Sequence, residues 1–153
     1  MGIIKTIQIA ARNNKTYRVG LLQDKAYRIL KQTITKALSP YEITSVHWAF
    51  LGLLSDNSDG MRPNDAAKEL GVEAPFVTIL FKELEKRNFV ESQPDTSDSR
   101  AKILCLTKEG RSFVEKTETY LRKEINHITQ NVSAKDLLGY LTVLDGIVKN
   151  NKQ

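Results

Sequence analysis

A mainly α-helical fold with one small β-hairpin is predicted by three observations. Apolar residues recur at spacings of three and four near both ends of the chain. Between them, a short helix over Pro63–Leu70 is closed by Gly71 and followed at once by a second helix over 74–87. Two short strands, 89–93 and 101–106, then flank the polar turn 94–99. Helix, tight turn, helix and hairpin, in that order, predict a winged helix-turn-helix of about six helices.

The elements follow from local chemistry. Residues 1–13 carry a short apolar pattern, Ile3, Ile4, Ile7 and Ala11, which fits either an arm or an extra helical turn. From Tyr17 to Leu38, the positions Val19, Leu22, Ala26, Ile29, Leu30, Ile34, Ala37 and Leu38 form one helical stripe, with Arg18, Lys25, Lys31 and Lys36 mostly off it. A second helix spans 45–54. Its start has two candidate signals, Ser39-Pro40 with Glu42 and, preferred here, Thr44, which leaves Pro40 in the connection. Asp56-Asn57-Ser58-Asp59-Gly60 is a polar loop. In the helix over 74–87, Val77, Leu80, Phe81 and Leu84 form the expected buried face. Thr107 caps a long helix reaching about Ile128, and Ser133 caps a last one striped by Ala134, Leu137, Leu138, Leu141, Leu144 and Val148.

Composition bounds the function. The 153 residues fit a single domain, 1–153, and hydrophobic and charged fractions of 41% and 27% are ordinary for a globular chain. Cys105 is the sole cysteine, which excludes an intrachain disulfide and suits a reducing, cytoplasmic setting. Its place in an apolar strand favours a structural thiol over an oxidation sensor. No apolar run approaches a membrane span, and no signal peptide is expected. Two dispersed histidines, His47 and His127, give no metal site, and no phosphate loop or acid/base constellation appears. The expectation is therefore no cofactor, no metal, no catalytic residue and no membrane partner. The net charge of +5 permits a polyanionic partner, but residues 1–58 carry that whole excess while residues 59–110 hold eight Lys/Arg against ten Asp/Glu.

Three segments carry a resemblance. Asp98-Ser99-Arg100-Ala101-Lys102-Ile103-Leu104-Cys105-Leu106-Thr107-Lys108-Glu109-Gly110 resembles the wing-to-helix pattern of the multiple-antibiotic-resistance regulator (MarR) family: Asp-x-Arg, an apolar strand ending Leu-x-Leu-Thr, then Gly. Arg62-Pro63-Asn64-Asp65-Ala66-Ala67 resembles that family's Arg-Pro-Ser-Glu-Leu-Ala, and Ile43-Thr44-Ser45-Val46-His47-Trp48 its Leu-Thr-x-x-Gln-Trp. The resemblance covers the chain from about Tyr17 onward. It implies a homodimer joined through helices at about 15–42 and 107–150, with a winged-helix lobe at about 44–106. It also implies sequence-specific reading of a pseudo-palindromic double-stranded DNA site to regulate transcription.

Under that resemblance the DNA-binding candidates are Arg62, Pro75, Phe76, Thr78, Ile79, Lys82, Ser99, Arg100 and Lys102. The helix over 74–87 departs from the family, since Val77-Thr78 is followed by Ile79 instead of Arg, and Glu73 would repel phosphate. Phe76 suits a thymine methyl or a packing role. Arg100 has two readings, a groove or phosphate contact and a pair with Asp98 that fixes the turn. Relatives often bind small aromatic ligands between the dimerisation helices and the lobe, which makes Arg18, Tyr27, Tyr41, His47 and Trp48 candidates for such an effector, against the plainer reading of core or interface residues. The alternative function is a degenerate winged-helix protein whose Phe76, Ile79 and Lys82 face a protein partner rather than DNA.

Overall fold

The computed structural model describes residues 15–98 and 101–151. The arm or helical turn expected over 1–13 lies outside the described residues. The described chain runs α1 (Thr16–Leu38), a 3-10 turn (Ser39–Tyr41), α2 (Ser45–Asp56), α3 (Pro63–Leu70), α4 (Ala74–Glu85), β1 (Val90–Pro94), β2 (Lys102–Leu106), α5 (Lys108–Ile128) and α6 (Ala134–Asn150). The mainly helical winged helix-turn-helix is thus present, with its hairpin after the fourth helix.

Local chemistry sets most boundaries. The Thr44 hydroxyl accepts the His47 backbone N–H at 3.3 Å, and His47 Nδ1 accepts the Thr44 N–H at 3.3 Å. A histidine therefore closes the capping box that Glu or Gln usually closes, and Pro40 falls in the 3-10 turn. Thr107 and Ser133 accept the N–H groups of Gly110 and Asp136 to start α5 and α6. Gly71 takes the left-handed conformation at the end of α3, at φ 67°. The sequence expects α4 to reach Arg87, but it stops at Glu85 because Asn88 turns left-handed at φ 58°. The Phe89 N–H then closes onto the Leu84 carbonyl at 3.1 Å. Arg87 leaves the helix and donates to the carbonyls of Tyr41 at 2.6 Å and Glu42 at 3.2 Å, stapling the α1–α2 joint to the end of α4.

One core fills the lobe. Phe50, Leu51 and Leu54 of α2, Ala66 and Ala67 of α3, and Val77, Leu80 and Leu84 of α4 are buried together with Leu104 and Leu106 of β2. Val114 and Leu121 of α5 and Leu38 of α1 complete it. The two long end helices differ from the rest. α1 buries only Ala37 and Leu38, and α6 buries no residue. Leu22, Leu138 and Val148 stay 70%, 65% and 64% exposed on their stripes.

The wing is an antiparallel ladder from Val90 opposite Leu106 to Pro94 opposite Lys102. Against expectation, β1 is shifted by one residue and β2 begins one residue later, ending as expected at Leu106. Phe89 is drawn into the core against Phe113, stacked at 4.5 Å, and Ala101 lies before the ladder, where its carbonyl accepts the Asp95 N–H at 3.1 Å. Met61 adds a bridge on the far side of β2, exchanging hydrogen bonds of 3.0 and 2.8 Å with Leu104. Gly60 permits that approach: at φ 80°, an added Cβ would stand 2.3 Å from Ile103 Cγ2 and 2.5 Å from Cys105 Sγ. Among the described residues, no helix is long and apolar enough to cross a membrane.

Candidate nucleic-acid interface

The outer face of α4 is built by the burial of its inner one. Val77, Leu80 and Leu84 face the core, so Pro75, Phe76, Thr78, Ile79 and Lys82 are left exposed on the opposite side. Phe76 and Ile79 on this face are 39% and 52% accessible. A groove separates α4 from the wing, walled by Thr78 and Lys82 on one side and Ser92 and Lys102 on the other. Five candidates, Pro75 through Lys82, therefore share one surface, and Lys102 faces it from β2. Ser99 and Arg100 lie outside the described residues, and so does the pairing expected of Arg100 with Asp98.

Arg62 is placed differently. Its guanidinium binds the Asp95 carboxylate, at 2.8 Å from Nε and 2.5 Å from a terminal nitrogen, and it also donates to the Ser97 hydroxyl at 3.1 Å. Asp95 is nearly buried, and its other oxygen accepts the Ser97 hydroxyl at 2.7 Å and the Ser97 N–H at 2.8 Å. These Ser97 bonds first, and then Arg62, hold the Asp95 carboxyl down to about 2. The arrangement ties the turn of the wing to the start of α3, and Asp95 escaped the sequence reading altogether. The only signal available was an Asp two residues before a Ser in a turn, a pattern that makes Asx turns.

The charge has a consequence for stability. A carboxyl whose pKa is lower in the folded state favours folding above its ordinary value, and that contribution drains away as pH falls toward the folded value. For Asp95 the window runs from about 4 down to about 2. Asp95→Asn is therefore expected to lower stability at neutral pH and to flatten the acid limb, read as thermal midpoints between pH 2 and 6. Parallel limbs for the two proteins would show that Asp95 contributes no such linkage.

The five effector candidates do not converge. Arg18 lines a groove along α1 with Tyr17, Leu21, Leu22 and Lys25, whereas Trp48 lines another with Leu53, Leu70 and Arg122. Tyr27 is exposed beside Lys31, whose ammonium stands 5.7 Å from the ring centre. Tyr41 meets the edge of Phe113 at 5.4 Å. His47 is engaged at both nitrogens: because Nδ1 accepts from Thr44, Nε2 carries the proton and donates to Glu83 of α4 at 2.8 Å. Cys105 is buried, and burial pushes its thiol pKa up, opposite to what a reactive thiolate needs. Among the described residues, no group of three or more His, Cys, Asp or Glu is placed to hold a metal.

A family model described as MarR family matches residues 41–101, which span α2 through the wing turn. Three solved structures extend the likeness over most of the chain. The S. aureus MepR–DNA complex is 25% identical, with 90% of this chain and 99% of that one covered at a TM-score of 0.72. A mutant of E. coli MarR complexed with operator DNA is 21% identical, with 85% and 93% covered at 0.73. CouR from Rhodococcus jostii RHA1, bound to p-coumaroyl-CoA, is 22% identical, with 84% and 90% covered at 0.78. The lobe of this chain thus matches the MarR family model, and its order of helices is that of these winged-helix structures.

Proposed function

We propose that the protein is a homodimeric, sequence-specific DNA-binding regulator of transcription, acting in the cytoplasm and without catalytic activity. The observation that carries this reading is the outer face of α4, exposed beside the wing and bordered by Lys82 and Lys102, neither of which forms an ion pair among the described residues. A helix of this size fits a major groove, and lysines at its flank suit phosphate. Ser99 and Arg100 belong to the same proposal as wing-tip contacts, and Arg62 as the residue that sets the angle of the wing. Two MarR-family structures similar to this chain are complexes with DNA.

The homodimer is supported by α1 and α6, whose stripes remain exposed in one chain. In the proposed division, about 15–42 and 107–150 join the protomers and about 44–106 reads a pseudo-palindromic duplex. A small aromatic effector is part of the proposal, with Arg18, Tyr27, Tyr41 and Trp48 as candidate contacts. His47, hydrogen-bonded to Glu83, would carry its effect to α4.

The second reading, a protein-binding face, is favoured by Phe76 and Ile79 together with the carboxylates of Glu73 and Glu83 on or beside α4. Selection of bound duplexes from fragmented genomic DNA, repeated across salt concentrations, separates the two. An enriched pseudo-palindromic motif is expected, with affinity falling steeply as salt rises through counterion release. No enrichment and no salt dependence would refute the DNA-binding reading and leave the protein-binding one.

A further inference from the structure

The helix that should read bases carries no arginine, asparagine or glutamine anywhere in Ala74–Glu85. Its few polar groups are largely occupied. The Thr78 hydroxyl is engaged by its own helix, donating to the Ala74 carbonyl at 3.4 Å, and Glu83 is held by His47. What the face presents instead is Phe76 and Ile79, both exposed, with Pro75 before them and Lys82 one turn further on.

Arg, Asn and Gln, the side chains that most often read guanine and adenine edges by paired hydrogen bonds, are absent from this face, which leaves Thr78 and Lys82 as its polar groups on that side. The major groove holds one apolar group that such a surface can recognise, the C5-methyl of thymine. Residues three apart on a helix stand about 5–6 Å from one another. Base pairs stack at about 3.4 Å, so Phe76 and Ile79 span one to two base steps. Neither side chain belongs to the buried core of α4, which is made by Val77, Leu80 and Leu84.

Resting on the DNA-binding reading above, we infer that this chain recognises its site through thymine methyl groups. Phe76 and Ile79 each pack on a C5-methyl in the major groove of a half-site, one to two base steps apart, and Lys82 neutralises a neighbouring phosphate. Specificity is then apolar, and it falls on thymine-bearing steps rather than on guanines.

Deoxyuridine tests this directly, since it removes the methyl and keeps every hydrogen-bonding group of thymine. The probe is a labelled duplex recovered by the genomic selection, with its thymines replaced one at a time. At one or two positions in each half-site, affinity should fall about fourfold, the value of one buried methyl. Phe76→Ala and Ile79→Ala should each bind the parent duplex more weakly and become indifferent to the swap at one of those positions. Both residues are exposed, and an unchanged circular dichroism spectrum will show that the variants fold. If the parent duplex binds and no uracil swap matters, or if the swaps weaken both variants as much as the wild type, the methyl inference is wrong while the DNA-binding reading stands. If no duplex is bound at any salt concentration, the DNA-binding reading fails and takes this inference with it.

Discussion

Gly110→Ala is expected to destabilise the protein by about 3 kcal/mol, the upper part of the usual range for forcing atoms into a filled site. Gly110 is the third residue of α5, and its Cα packs on the main chain of Phe89. A Cβ there would stand 2.0 Å from the Phe89 carbonyl oxygen and 2.9 Å from its carbon. Phe89 has little freedom to retreat. Its carbonyl accepts the Thr107 N–H at 3.1 Å, its N–H is bound to Leu84, and its ring is stacked on Phe113. The Thr107 hydroxyl adds a 2.6 Å bond to the Asn88 carbonyl, one residue back. Displacing Phe89 would therefore disturb the end of α4, the start of the wing and the cap of α5 together. Gly52→Ala is the internal control: apart from its chain neighbours and the adjacent backbone of its own helix, nothing lies within 4 Å of its added Cβ, and helix propensity favours alanine by up to about 1 kcal/mol. Denaturant midpoints at constant slope measure both. A Gly110→Ala midpoint equal to that of wild type would mean that the α5–Phe89 contact is looser than its geometry.

This glycine shows where sequence reading succeeds and where it stops. The pattern Leu-x-Leu-Thr followed by Gly was legible, as were the caps Thr44, Thr107 and Ser133 and the left-handed Gly71, because each acts on residues within a turn of itself. Partners distant in the chain were not legible. Arg62 is 33 residues from Asp95, His47 is 36 from Glu83, and Arg87 is 45 from Glu42, and no local rule pairs them. Such contacts fix how the wing, α2 and α4 sit relative to one another, so the shape of the candidate site was less legible than its location. Phe76 illustrates the same limit: its type was plain in the sequence, but its exposure depended on which residues of α4 the core claimed. The stripes of α1 and α6 were equally plain, yet periodicity reports that a face is apolar without saying what covers it.

Leu138→Glu with Leu141→Glu is expected to convert the proposed dimer to monomers at micromolar concentration and to weaken binding to a pseudo-palindromic duplex by about 10²–10⁴-fold. The two leucines are 65% and 59% exposed, one turn apart on α6, with Val148 further along the helix. A stripe of this length left in water would be an aggregation liability, so a partner surface is its physical explanation. In a two-fold dimer each substitution enters the interface twice, and four carboxylates would then lose solvent without a designed partner. The lobe should be spared, because α6 contributes no buried residue to the core that holds α2, α3, α4 and the wing. Sedimentation and thermal unfolding therefore give separable results: a smaller particle, with the fold of the lobe intact. Affinity for the full site falls because a bound protomer no longer presents its neighbour to the second half-site. Affinity for an isolated half-site should change little, which distinguishes lost linkage from a damaged α4. A double variant that sediments like a dimeric wild type would place the interface elsewhere, and a wild type that is itself monomeric would refute the homodimer.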